Sequence, residues 1–144
     1  MNKIKVERYH DFSAGHKVTN HENKCKHLHG HNYRIYFTIE AKELDELGRV
    51  IDFSVIKSKL CNWLENHWDH RFLIYKNDPA CLILTKHFPD DIILCDFNPT
   101  AENMGKYLCE VVGKKELKNT GCKLIKCKIQ ETRKCSAIYE TSSK

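Results

Sequence analysis

The sequence predicts an α+β two-layer domain, an antiparallel sheet with two helices packed on one face. Three observations predict it. Apolar and polar residues alternate near both ends of the chain, apolar residues recur at helical spacing in its middle, and 144 residues are enough for one core. The whole chain, 1–144, reads as one domain, without internal repeats, linkers or low-complexity stretches.

Ile4, Val6, Arg8, His10, Phe12 and Ala14 share one phase of a first strand, which carries on to His16. Residues 20–26 are polar and loop-like. Tyr33, Ile35, Phe37, Ile39 and Ala41 alternate with Arg34, Tyr36, Thr38 and Glu40, a half-buried strand that starts at His29-Gly30-His31. Asp52 caps a helix carrying Phe53, Ile56, Leu60 and Leu64, which ends near Trp68. A short helix is expected over 79–88 and a short strand over 92–97. Thr100 caps the second main helix, which carries Ala101, Met104, Leu108 and Val111 and stops at Gly113. Strands over 124–131 and 135–140 close the chain. The principal order is ββααββ, and strands adjacent in sequence pair antiparallel. The second sheet face is left to solvent or to another copy.

Hydrophobic residues make up 41% of the chain and charged residues 30%, which excludes disorder. No apolar run approaches the roughly 18 residues that span a bilayer, and residues 1–5 lack the apolar core of a signal peptide. The chain is therefore expected in the cytoplasm, without membrane contact. Its eight cysteines show no two-residue gap of a zinc ribbon or redox motif, so seven read as free thiols. A net charge of +5 suits an anionic small substrate, and no nucleic-acid motif accompanies it.

The chemistry concentrates in Cys25-Lys26-His27-Leu28-His29-Gly30-His31. Side chains two apart on a strand point the same way, so His29 and His31 leave one face together. Zinc takes three protein ligands in catalytic sites and keeps one position open. Either His16 or His27 supplies the third. Ligands at 27, 29 and 31 would lie on a line about 13 Å long at ~3.3 Å per residue, which favours His16 from another strand. Cys25 acts as a base beside the metal, closes the site as a fourth ligand, or is an inert thiol. Asp69-His70 is a carboxylate–imidazole pair suited to proton transfer, or a turn after a helix; adjacent residues rarely bond each other. Glu131 falls on the apolar phase of its strand. It either binds a ligand with two N–H donors, such as a pterin or guanine edge, or reaches solvent from the strand end.

Together these segments resemble the family of 6-pyruvoyl-tetrahydropterin and 6-carboxy-tetrahydropterin synthases. The matching pieces are Phe12-Ser13-Ala14-Gly15-His16, the run from Cys25 to His31, Val50-Ile51-Asp52-Phe53, Asp69-His70, Pro99-Thr100-Ala101-Glu102-Asn103 and Glu131-Thr132. The resemblance implies a tunnelling fold, with a four-stranded antiparallel sheet and two helices on one side. It also implies trimers paired into hexamers, with active sites between subunits. It makes His16, His29 and His31 the Zn²⁺ ligands, Cys25, Asp69 and His70 the catalytic group, and Glu131 the pterin anchor. The Thr100-Ala101 turn looks like the part a neighbouring subunit lends to the pterin pocket.

Three residues separate Cys25 from His29, a spacing similar to that of the 6-carboxy enzymes of queuosine and 7-deazaguanine synthesis. Asp52 also fits that group. The implied reaction converts 7,8-dihydroneopterin triphosphate to 6-carboxy-5,6,7,8-tetrahydropterin, releasing acetaldehyde and triphosphate. Two other readings remain: the pyruvoyl reaction, which eliminates triphosphate without carbon–carbon cleavage, and a non-catalytic, zinc-stabilised oligomer that binds pterins or purines. The chain departs from the family in Leu73-Ile74, where Leu-Asn is frequent, and in a longer stretch from 75 to 97.

Overall fold

The structure is a computed structural model that describes residues 3–141. Its elements are β1 (Lys5–His16), β2 (His29–Ala41), α1 (53–67), β3 (Phe72–Tyr75), α2 (Cys81–His87), β4 (Ile92–Cys95), α3 (101–116), β5 (Cys122–Gln130) and β6 (Ser136–Glu140). Both α1 and α3 pass through a π-helical stretch, Lys57–Cys61 and Leu108–Gly113 respectively.

All the strands join one sheet in the order β4-β3-β1-β2-β5-β6. The pairs β1–β2, β2–β5 and β5–β6 are antiparallel and form the expected four-stranded core. The sheet is nevertheless six-stranded and mixed, because β3 lies parallel to β1 and β4 parallel to β3. The strand over 92–97 was legible, whereas β3 was not. Leu73 and Ile74 are both fully buried, so β3 has no polar face and no two-residue alternation.

The helices cover one sheet face. Phe12, Tyr33, Ile35, Phe37 and Ile39 from the sheet meet Ile56, Leu60 and Leu64 of α1 and Met104, Leu108 and Val112 of α3. Fully burying such a side chain contributes about 1.5–3 kcal/mol. A one-residue slip of β2 would turn Tyr33, Ile35, Phe37 and Ile39 to the other face, and His29 and His31 with them. The core therefore sets the register that aims the histidines.

Both helix caps form as expected. The Asp52 carboxylate accepts from the Ser54 N–H at 2.8 Å, and Thr100 Oγ1 accepts from the Asn103 N–H at 3.1 Å. Gly113 is not the stop of α3. It sits inside the helix at φ −60°, and the chain turns later, through Asn119 (φ 67°) and Gly121 (φ 75°). A Cβ at Gly113 would lie 2.8 Å from the Leu124 side chain, so glycine is there to let α3 approach β5. No helix among the described residues is long and apolar enough to cross a membrane.

Candidate metal centre and active site

The end of β1 pairs with the start of β2, with His16 opposite His29 and Ala14 opposite His31. All three imidazoles therefore leave the helix-covered face together. His16 Nε2 lies 3.1 Å from both His29 Nε2 and His31 Nε2, and one nitrogen from each ring falls within 4.8 Å of the others. The second nitrogens of His16 and His29 are held by backbone. His16 Nδ1 donates to the Pro99 carbonyl at 2.7 Å, and His29 Nδ1 donates to the His27 carbonyl at 2.7 Å. Assigned from these partners, both rings carry the proton on Nδ1 and face each other with Nε2 lone pairs. Protonation is a poor remedy for that repulsion. Burial, followed by the charges of His29 and His31, pushes His16 down to about 4 even against the Pro99 bond, which favours the charged form. Burial and then His29 lower His31. A bound cation is the remedy the donor set fits, since three neutral imidazoles suit zinc and its transition-metal neighbours.

His27, the other candidate for third ligand, offers its backbone carbonyl to His29 instead, and its side chain is exposed. The Cys25 sulfur also lies outside the group. Cys25 sits in a single 3₁₀ turn, Lys24–Lys26, tied back by the Val18 N–H to its carbonyl at 2.9 Å.

Glu131 lies one residue past β5 and still reaches the cluster. Its carboxylate oxygens are 4.0 Å from His16 Nε2 and 3.8 Å from His31 Nε2. Burial, and after it the charge of Glu102, raises its pKa, while His29 opposes the shift. No hydrogen bond from the described residues reaches this half-buried carboxylate.

Tyr33 is a member of the site that sequence reasoning passed over as core. Its ring stacks on Phe12 and stands edge-on to His31 at 5.4 Å and His16 at 5.9 Å. Its hydroxyl is buried without a hydrogen-bond partner, the one such side-chain atom found among the described residues. Leaving a donor like this unpaired costs about 1–3 kcal/mol. Burial above all, with the charges of Glu131 and Cys25, raises its pKa and keeps it a phenol. Its strand phase, shared with His29 and His31, was the available signal.

Asp69 and His70 do bond each other, contrary to expectation. His70 adopts φ 59°, which turns its ring back so that Nδ1 meets Asp69 Oδ2 at 2.9 Å. Asp69 also accepts the Ser13 N–H at 3.1 Å. Burial works against the Asp69 carboxylate, but the bonds from His70 and Ser13 outweigh it and hold the pKa below the usual range. His70 is 79% exposed and lines an open cleft of about 570 Å³ with Ser13, His31, Asn32, Arg71 and Asp91. Ser13 and Asn32 point away from the histidine face by strand alternation. No hydrogen bond or ion pair among the described residues joins Cys25 to Asp69 or His70.

Thr100 and Ala101 open α3 just after Pro99, whose carbonyl accepts from His16, with Ala101 7% exposed. Asn98 braces the turn. Its side chain accepts the Thr19 N–H at 2.9 Å and donates to the Thr19 carbonyl at 3.0 Å. Asp78, in the long stretch after β3, binds Lys17 and the Thr19 hydroxyl, the latter at 2.6 Å. Residues 17–19 are thus clamped on both sides next to His16. A backbone acceptor leaves no side-chain pattern in a sequence, so the Pro99 contact was not foreseen, and Asn98 and Asp78 act across about sixty to eighty residues of chain that no local motif spans.

The chain belongs to the 6-pyruvoyl tetrahydropterin synthase family, which it matches over residues 4–142. The comparison narrows further among individual relatives. It is 35% identical over 133 residues to a 6-carboxy-5,6,7,8-tetrahydropterin synthase of Rickettsia bellii, covering 92% of this chain and 96% of the relative. A protein of the same name in Aquifex aeolicus is 30% identical, covering 96% and 98%. An uncharacterized protein of Wolinella succinogenes superposes with a TM-score of 0.86 at 23% identity, covering 99% and 100% of the two chains. The 6-pyruvoyl tetrahydropterin synthase of Caenorhabditis elegans superposes at 0.71 with 25% identity, covering 99% and 98%. The shared fold is that of this enzyme family.

Proposed function

We propose that the chain is a zinc-dependent lyase that converts 7,8-dihydroneopterin triphosphate to 6-carboxy-5,6,7,8-tetrahydropterin, releasing acetaldehyde and triphosphate, in the cytoplasmic synthesis of queuosine-type 7-deazaguanines. The observation that carries this reading is the meeting of three imidazoles with the Glu131 carboxylate, which lies 4.0 Å from His16 and 3.8 Å from His31. The names of the Rickettsia and Aquifex relatives favour the carboxy product.

His16, His29 and His31 hold Zn²⁺, which supplies Lewis acidity toward the oxygens of the substrate side chain when bound. Glu131 accepts the two N–H donors of the pterin edge, hydrogen bonds that offset the cost of its partial burial. Cys25 takes a proton from side-chain carbon. His70, oriented by Asp69, moves a proton on and off the substrate. The Thr100-Ala101 turn closes the pocket behind the ring. Since Asp69-His70 opens on the cleft side of β1, it serves the site of an adjacent copy in a homohexamer of two trimers.

Incubation with 7,8-dihydroneopterin triphosphate and mass spectrometry of the products test this. A carboxylate with acetaldehyde and triphosphate is expected. A diketo side chain would instead make it a pyruvoyl synthase, the activity named for the Caenorhabditis neighbour. Tight pterin binding with no triphosphate release would make it a binding protein. Cys25→Ala should keep its zinc and lose at least about 100-fold in turnover; unchanged turnover would remove the thiol from the mechanism.

A further inference from the structure

We infer that the cleft on which His70 opens receives the triphosphate of the substrate, and that Arg71 is the residue that binds it. This rests on the pterin triphosphate reading of the site and names a phosphate subsite within it. Three observations carry it. The cleft, about 570 Å³, is lined by His70 and Arg71 side by side and is bordered by His31 of the metal cluster. Its floor is bare, because Gly15 of β1 and Gly30 of β2 stand opposite each other and present backbone without side chains. The polar groups around it are mostly donors. Ser13 Oγ donates to Asn32 Oδ1 at 2.7 Å, which leaves the Asn32 N–H groups for a ligand. No ion pair or side-chain hydrogen bond among the described residues occupies the Arg71 guanidinium.

The chemistry of the substrate brings its phosphates here. They sit at the end of the short C6 side chain, next to the carbons that lose protons. Whichever copy holds the pterin, a side chain presented to His70 therefore sets its phosphates down in the cleft that His70 lines. Arginine suits them, since its planar fork makes paired, charge-assisted bonds to phosphate oxygens. A floor without side chains lets so bulky an anion come close. Asp91 is the one carboxylate in the lining and is exposed. It opposes the anion, which gives the test a second sign.

Calorimetric titration of the zinc-loaded protein with inorganic triphosphate tests this. The wild type should bind, Arg71→Ala should bind at least about tenfold more weakly at unchanged zinc content, and Asp91→Asn should bind more tightly. All three proteins keep the same histidines, so binding to the metal is common to them and the difference reads the cleft. Arg71→Ala should also raise KM for 7,8-dihydroneopterin triphosphate at least about tenfold, with Arg71→Lys recovering part of the loss. Its affinity for 7,8-dihydroneopterin, which carries no phosphate, should stay that of the wild type. Equal triphosphate affinity in wild type and Arg71→Ala would overturn the proposal. So would an equal loss of dihydroneopterin binding, which would make Arg71 a structural residue. A wild type that binds triphosphate through Arg71 but does not turn over the pterin overturns the lyase reading alone. One that forms the carboxylate product with the same KM as Arg71→Ala overturns this proposal alone.

Discussion

His16 is the residue on which the site turns, because it is both the most buried imidazole and the one in contact with the other two. Its burial has a consequence for stability. With a folded value of about 4 against an ordinary 6.5, the unfolded chain binds more protons than the folded chain between those pH values. Stability of the metal-free protein therefore rises with pH across that window. It is complete above about 6.5 and lost as pH falls toward 4, a change on the order of 3 kcal/mol. Urea unfolding of chelator-treated protein from pH 4.5 to 7 should show this slope, and His16→Asn should flatten it; parallel curves for the two proteins would contradict it. At this scale His29-Gly30-His31 was legible because a strand repeats every two residues. The hydroxyl of Tyr33 was not, because strand phase treats tyrosine as apolar. The Asp69–His70 bond needed a left-handed backbone at His70 that no neighbouring residue announces.

Among the elements, α3 shows how one residue type carries two meanings. A glycine after helical apolar spacing reads as a C-terminal stop, but Gly113 lies within α3 against Leu124 of β5. Glycine to alanine in an ordinary helix interior stabilises by about 0.5–1 kcal/mol. Here the added methyl meets Leu124 at 2.8 Å, so Gly113→Ala should destabilise by about 1–3 kcal/mol. Chemical denaturation decides the sign, and a gain in stability would show that α3 can shift away from β5 freely. The caps at Asp52 and Thr100 were readable because cap chemistry is local. The sheet edge was not, since β3 is a four-residue buried run whose pairing with β1 spans more than fifty residues of chain.

For the whole molecule, the two halves of the proposed chemistry share one border residue, since His31 also lines the cleft on which His70 opens. The imidazoles and Glu131 lie on the helix-covered side, and Asp69-His70 opens on a cleft beside Ser13 and Asn32. That second face carries aromatic and charged side chains together. Arg34 pairs with Asp11 at 2.7 Å and stacks over Tyr9 at 4.1 Å, Lys128 lies over Tyr36 at 5.1 Å, and Tyr9 and Ile138 are half exposed. The outermost strands, β4 and β6, leave edges for further pairing. Native mass spectrometry of the intact protein, wild type beside His29→Ala, reads copy number and metal together. One zinc per chain in a wild-type assembly of six copies is expected, with the variant keeping the assembly and losing the zinc. Full zinc occupancy in His29→Ala would mean that these imidazoles do not hold the metal.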